Sequence, residues 1–231
     1  MRILKIILVI LIIYLIRLYA SVPKEVDYTH DRTTQPKVLI DRSSYIAKGV
    51  LDSVFCERLI NASRNLKYDT TGEPVDNEPV YQIDILHGQK VVNMELWNIC
   101  KDVYLRHKDK NTGFDFMFLK RYLPKERVRI PLHCDSCDYT TSFLLSDTKD
   151  FEGCEYYMFD KITSTNLVEI ANSGVDARDY FIKNHKNLPI HDYQQGDMVK
   201  FEGQTHYHGT LPLTKGERYV LTIFYDQKKG G

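Results

Sequence analysis

The chain has 231 residues, enough for one domain with a sizeable core, and its 31 lysines and arginines are offset by 31 aspartates and glutamates. That balance leaves no net field to recruit nucleic acid or an anionic membrane surface, so no nucleic-acid partner is expected. The 16 tyrosines suit a β-rich fold.

The first five residues carry Arg2 and Lys5, and an unbroken apolar run follows from 6 to 16 before Arg17. The run is shorter than the roughly 20 residues of a spanning helix. Continued to residue 22 it becomes long enough if Arg17 snorkels to the interface. Residues 1–22 therefore read as a signal-anchor, with a cleaved signal peptide ending near Leu18-Tyr19-Ala20 as the alternative. Either one delivers the rest of the chain to a lumen. The expected location is a single-pass membrane protein facing the endoplasmic reticulum or secretory pathway, or a secreted protein after cleavage. Residues 23–45, with Pro23 and Pro36, read as a stalk, and 46–231 as the folded domain.

Asp52 is placed to cap a helix running to about 66, with Val54, Phe55, Leu59 and Ile60 as its apolar stripe. A second helix near 93–107 is expected to bury Met94, Trp97, Cys100 and Tyr104. From 113 the pattern turns to short strands at 114–123, 128–134, 139–146, 154–159, 197–202 and 218–226. They are rich in β-branched and aromatic residues and bounded by turn formers. The fold class is α+β, mainly β: a double-stranded β-helix (jelly-roll) core over about 113–228, flanked by N-terminal helices. Residues 161–192 are too long for a hairpin turn and read as a substrate lid at the mouth of the site.

Cys134 and Cys137 form one C-x-x-C pair without a second, which supports structural zinc poorly. In an exported chain the five cysteines leave room for one or two disulfides and an odd thiol.

The residues that carry chemistry are split. His133 and Asp135 lie in Pro-Leu-His-Cys-Asp, and on a strand residues two apart face the same side, with Cys134 pointing away. His208 and Arg218 lie further on, the arginine ten positions after the histidine. Two imidazoles and one carboxylate are the set that holds non-haem iron(II) on one face and leaves the other open.

These residues sit in a longer series that resembles the iron(II)- and 2-oxoglutarate-dependent dioxygenases, in their prolyl 4-hydroxylase and procollagen lysyl hydroxylase branch. The series runs through Phe118-Leu119-Lys120-Arg121-Tyr122, His133-Cys134-Asp135, Phe151-Glu152-Gly153-Cys154-Glu155 and Gly196-Asp197. It ends in Thr205-His206-Tyr207-His208-Gly209 and Gly216-Glu217-Arg218-Tyr219. Upstream, Gly49-Val50-Leu51-Asp52 and Cys56-Glu57-Arg58-Leu59-Ile60 are similar to the first helix of the prolyl hydroxylases.

The resemblance implies His133, Asp135 and His208 as iron ligands, with His208 preferred to His206 by its spacing to Pro212, Gly216 and Arg218. It implies Arg218 as the partner of the far carboxylate of 2-oxoglutarate, for which a guanidinium fork is well shaped. Tyr122 is implied as a second contact to that co-substrate, and ascorbate as a reductant. The expected reaction hydroxylates prolyl or lysyl residues of a protein, collagen-like or otherwise extended, and decarboxylates 2-oxoglutarate to succinate. The alternatives are the same chemistry on a small molecule, sugar or nucleic acid, and a non-catalytic cupin-like binding protein. Two departures stand out. Leu144 occupies the place of a usual hydroxyl residue, with Thr140, Thr141 and Ser142 as substitutes, and Cys154 stands where glycine is usual.

Overall fold

The structure is a computed structural model that describes residues 37–108, 112–161, 163–164 and 188–228. The expected signal-anchor or signal peptide, the stalk up to 36 and the body of the 161–192 lid lie outside these residues. Among the described residues no helix is long and apolar enough to cross a membrane.

The chain is mainly β and its ladders are antiparallel. Strands β1 (Lys37–Leu39) and β2 (Tyr45–Ala47) come first, followed by helix α1 (Ser53–Ser63). Then come β3 (Gln82–His87), β4 (Lys90–Val91) and helix α2 (Met94–His107). The remainder is β5 (Thr112–Tyr122), β6 (Tyr139–Leu144), β7 (Phe151–Gly153), β8 (Tyr156–Met158), β9 (Met198–Glu202), β10 (His208–Thr210), β11 (Leu213–Gly216) and β12 (Arg218–Gln227). One eight-stranded sheet has the order β1-β2-β9-β6-β12-β5-β3-β4, and two short ladders, β8 with β10 and β7 with β11, stand beside it.

The long strands follow from alternation. Along β12, Arg218, Val220, Thr222 and Phe224 pair with Tyr122, Lys120, Phe118 and Phe116 of β5, so these residues share one face. Across β6 the same face continues through Leu144, Ser142 and Thr140. Between this face and the short ladders lies a core that includes Leu144, Val220, Tyr122, Tyr156, Met158 and Phe201. The opposite face carries the fully buried Met117, Leu119, Phe143, Leu221 and Ile223. His107, at the end of α2, meets Phe143 there edge-on at 5.2 Å.

Local expectations fare unevenly. Asp52 caps α1, accepting the Phe55 N–H at 2.7 Å, and Asn93 caps α2 from Leu96 N at 3.0 Å. The buried stripes are shifted: Val54 and Met94 are exposed, Trp97 is half-buried, and Cys56, Leu96 and Val103 face inward instead. Residues 128–134 do not form a regular strand. Pro131 has no N–H to give, and the segment follows β10 and β11 through single bonds such as Thr210 N to Ile130 O and Leu213 N to Val128 O. The end of the expected stalk is also corrected, because residues 37–45 include β1 and the start of β2, which pair and join the sheet beside β9. All five cysteines are free thiols, four of them buried, and none forms a disulfide. Cys154 adopts φ 58°, the left-handed region that glycine enters freely, which explains why a glycine suits this position.

Asp197, 2% exposed, ties the β9 entrance to the first folded segment. It accepts from Lys48 Nζ at 3.0 Å, Gly49 N at 2.9 Å and Gln194 N at 2.8 Å. Asp197→Ala should leave the Gly49 and Gln194 N–H groups without acceptors while Lys48 keeps Asp192 as a partner, and cost about 2 kcal/mol. Urea unfolding of the two proteins measures this.

Candidate metal centre

The ligand trio is assembled by a backbone bridge. His133 N donates to His208 O at 3.0 Å and His208 N donates to His133 O at 2.9 Å, so the irregular 131–138 segment and β10 lie side by side. Two glycines permit the close approach. A Cβ at Gly209 would meet Tyr157 Oη at 2.5 Å, and one at Gly203 would meet Cys137 O at 2.5 Å and Asp135 Cβ at 3.1 Å. Asp135 N in turn donates to Gly203 O at 3.1 Å.

The donor atoms of His133, Asp135 and His208 all lie within 4.8 Å of one another. His133 Nε2 is 3.3 Å from Asp135 Oδ1, and His208 Nε2 is 3.8 Å from Asp135 Oδ2. Each imidazole is oriented through its other nitrogen. His133 Nδ1 donates to Pro131 O at 2.8 Å and His208 Nδ1 to His206 O at 3.1 Å, which leaves both Nε2 lone pairs for an ion. Thr140 Oγ1 donates to Asp135 Oδ2, as a supported ligand carboxylate requires.

Burial works to raise the Asp135 carboxyl, but His208, His133 and the Thr140 bond outweigh it and hold it at about 2. Burial, with His133 next, pushes the His208 imidazole down to about 4. Below that value a His208 cation faces the ionised aspartate. At neutral pH the imidazole is neutral and the carboxylate anionic, which are the forms that bind a divalent ion. Two nitrogens and one hard oxygen fit iron(II) with positions left open.

The same cavity, of about 580 Å³, reaches from the trio to Arg218. Arg218 is 3% exposed, and among the described residues no carboxylate pairs with it. Its guanidinium carbon lies 5.3 Å from the Tyr122 ring centre. Tyr156 and Tyr193, both buried, complete this end, with hydroxyls committed to Met158 Sδ at 3.3 Å and Ser142 O at 2.7 Å. A desolvated cation without a counter-charge is costly unless an anion arrives to pair it. A dicarboxylate spanning from the trio to Arg218 fits this cavity chemically.

His208 and not His206 joins the trio, in line with the preference from spacing, while His206 is held elsewhere with its Nε2 facing Asp41 Oδ2 at 2.9 Å. Several sequence expectations are redirected. Cys134 lines the cavity rather than pointing away, and burial followed by the Asp135 charge pushes its thiol up to about 12. The substitute hydroxyls do not reach Arg218: Thr140 serves Asp135, Ser142 meets Thr222 at 3.0 Å, and Thr141 falls on the other face. Leu144 stands near Arg218 without a hydroxyl. Sequence reasoning missed Tyr156 and Tyr193, whose aromatic character pointed only to a core. Lys120, also in the cavity, is committed to Glu73.

No protein-family profile matches the chain. Among curated proteins it is similar to procollagen-lysine,2-oxoglutarate 5-dioxygenase 1 of Rattus norvegicus, 24% identical over 196 residues covering 77% of this chain and 23% of the relative. The chain thus spans under a quarter of the length of the curated relatives it matches. Among solved structures, HygX from Streptomyces hygroscopicus with nickel and 2-oxoglutarate bound aligns with a TM-score of 0.56 at 15% identity, covering 81% of this chain and 84% of that one. The non-haem alpha-ketoglutarate-dependent carbocyclase SnoK, from nogalamycin biosynthesis, aligns at 0.52 and 12%, covering 79% of each chain. These two likenesses show a shared fold.

The trio makes a direct expectation. Calorimetric titration of the metal-free protein with Co(II) should show one site, and Asp135→Ala should weaken binding at least about 100-fold, since loss of a ligand exceeds the 10–100-fold of losing its outer partner.

Proposed function

We propose that this chain is an iron(II)- and 2-oxoglutarate-dependent dioxygenase with a double-stranded β-helix core, related to the prolyl 4-hydroxylases and procollagen lysyl hydroxylases. The observation that carries the reading is one cavity holding both a His-Asp-His trio and a buried arginine that no described carboxylate pairs. His133, Asp135 and His208 would hold the metal. Arg218 would take the far carboxylate of 2-oxoglutarate through a bidentate contact. Tyr122, whose hydroxyl burial pushes upward, stays a neutral phenol able to donate to the same carboxylate.

Iron(II) with 2-oxoglutarate supplies the oxidising power when bound, one atom of O2 entering the succinate carboxylate and the other the substrate C–H bond, with release of CO2. The residues of this chain orient and exclude water. Phe201, whose ring lies 4.6 Å from that of His208, and Tyr156 at 6.1 Å wall the trio with apolar surface. Thr140 keeps the Asp135 carboxylate fixed while the other groups exchange.

The substrate we propose is a prolyl or lysyl residue of an extended, collagen-like protein. The similarity to a procollagen-lysine dioxygenase supports it, as does the order of motifs around His208 and Arg218. The accompanying proposals are ascorbate as reductant and a lumenal site in the secretory pathway, reached through the 1–22 segment.

Mass spectrometry of collagen-like peptides incubated with the protein, Fe(II), 2-oxoglutarate and ascorbate should show a gain of one oxygen on Pro or on Lys. Oxygen on neither, with 2-oxoglutarate still consumed, would move the substrate to the small-molecule class. Arg218→Ala should raise the 2-oxoglutarate requirement by about 30-fold or more, from the roughly 2–5 kcal/mol that removing one partner of a buried charge pair costs. An unchanged requirement would sink the assignment of Arg218.

A further inference from the structure

The direction of the His208 imidazole is set by its Nδ1 bond to His206 O at 3.1 Å, and so by the peptide plane joining His206 to Tyr207. That plane is held from both sides. Its N–H, on Tyr207, donates to Oγ of Ser164 at 3.0 Å, and Ser164 is fully buried. On the carbonyl side the His206 ring, also fully buried, is fixed at both nitrogens. Nδ1 faces Glu202 O at 3.0 Å and Nε2 faces Asp41 Oδ2 at 2.9 Å.

Both arms return to the same carboxylate. Asp41 Oδ2 also accepts the Lys161 N–H at 2.8 Å, at the start of the turn that carries Ser164. Thr163 N to Asp160 Oδ1 at 2.8 Å and Ser164 N to Asp160 O at 2.9 Å close that turn. The remaining oxygen, Oδ1, is occupied by Ser43 N at 2.7 Å, Ser43 Oγ at 3.0 Å and Ser44 Oγ at 2.8 Å. Asp41 is therefore immobilised on one side and grips two elements on the other.

We propose that Asp41, far from the ligands in sequence and carried by the β1–β2 connection, is a positioning residue for the metal centre. It fixes the His206–Tyr207 peptide through His206 and through the Ser164 turn, and that peptide aims His208 Nε2 at the ion. The proposal rests on the reading of His208 as a metal ligand. It also makes the segment before residue 46 part of the working site.

The test uses the full chain, stripped of metal and titrated with Co(II), read by affinity and by the ligand-field absorption of the bound ion. Asp41→Ala and Ser164→Ala should each weaken Co(II) binding about tenfold, the lower end of the range for outer partners of metal ligands, and should alter the band pattern. Ser43→Ala, which loosens only the Oδ1 side, should leave affinity and spectrum unchanged. Should Asp41→Ala not fold, as judged by circular dichroism, Asp41→Asn keeps its volume and an acceptor for the serines, and is measured in its place. Folded Asp41 and Ser164 variants with wild-type affinity and spectrum would overturn the proposal. A wild-type chain that takes up no Co(II) would overturn the metal reading instead.

Discussion

Two reciprocal hydrogen bonds between the backbones of His133 and His208 bring together segments that lie far apart in the chain. Without that bridge the two imidazoles have no common direction, and the buried Asp135 would lose the His208 contribution that helps to keep it ionised. With it, the rings sit 4.3 Å apart between centroids and flank the aspartate. Each ring then spends its outer nitrogen on a backbone carbonyl. Orientation is paid for by the fold before any ion arrives, which is how a binding site limits the entropy lost on loading.

The second constraint is the guanidinium of Arg218, which no carboxylate among the described residues pairs. Elsewhere the protein pairs its buried cations: Lys120 with Glu73, and Arg127 with both oxygens of Asp76 at 2.9 Å. Those pairs bind the 73–76 segment to β5 and the loop after it, beside the cavity. Arg218 lies over the Tyr122 ring and has no carboxylate partner among the described residues, and a charge left in that condition costs stability. Retaining it is understandable when the missing partner is a ligand. The sheet makes the arrangement possible, because one strand face carries Arg218 at one end and Phe224 at the other with the cavity above it.

What was legible in the sequence follows from how local the causes are. The long strands β5, β6 and β12 announce themselves by runs of β-branched and aromatic residues between turn formers, and Asp52 announces α1 by a capping bond three residues away. His133, Asp135, His208 and Arg218 were legible because their side-chain chemistry and spacing are unusual together. The three-residue strands β1 and β2 have no measurable period, and Pro36 just ahead of them made a stalk the natural reading. The link from Asp41 to His206 spans most of the chain and leaves no local trace. Tyr156 and Tyr193 looked like core residues, and they are core residues that also wall the Arg218 end. The departure at Cys154 was visible, but the positive φ that makes glycine suitable there belongs to the folded backbone.

The central question for this site is whether the trio and Arg218 act on one molecule. Calorimetric binding of 2-oxoglutarate to the Co(II)-loaded protein and to the metal-free protein decides this most directly. A ligand held at both ends should bind the loaded protein at least about tenfold more tightly, since each 1.4 kcal/mol of contact to the ion is a factor of ten. Equal affinity with and without metal, or no binding to either, would contradict it.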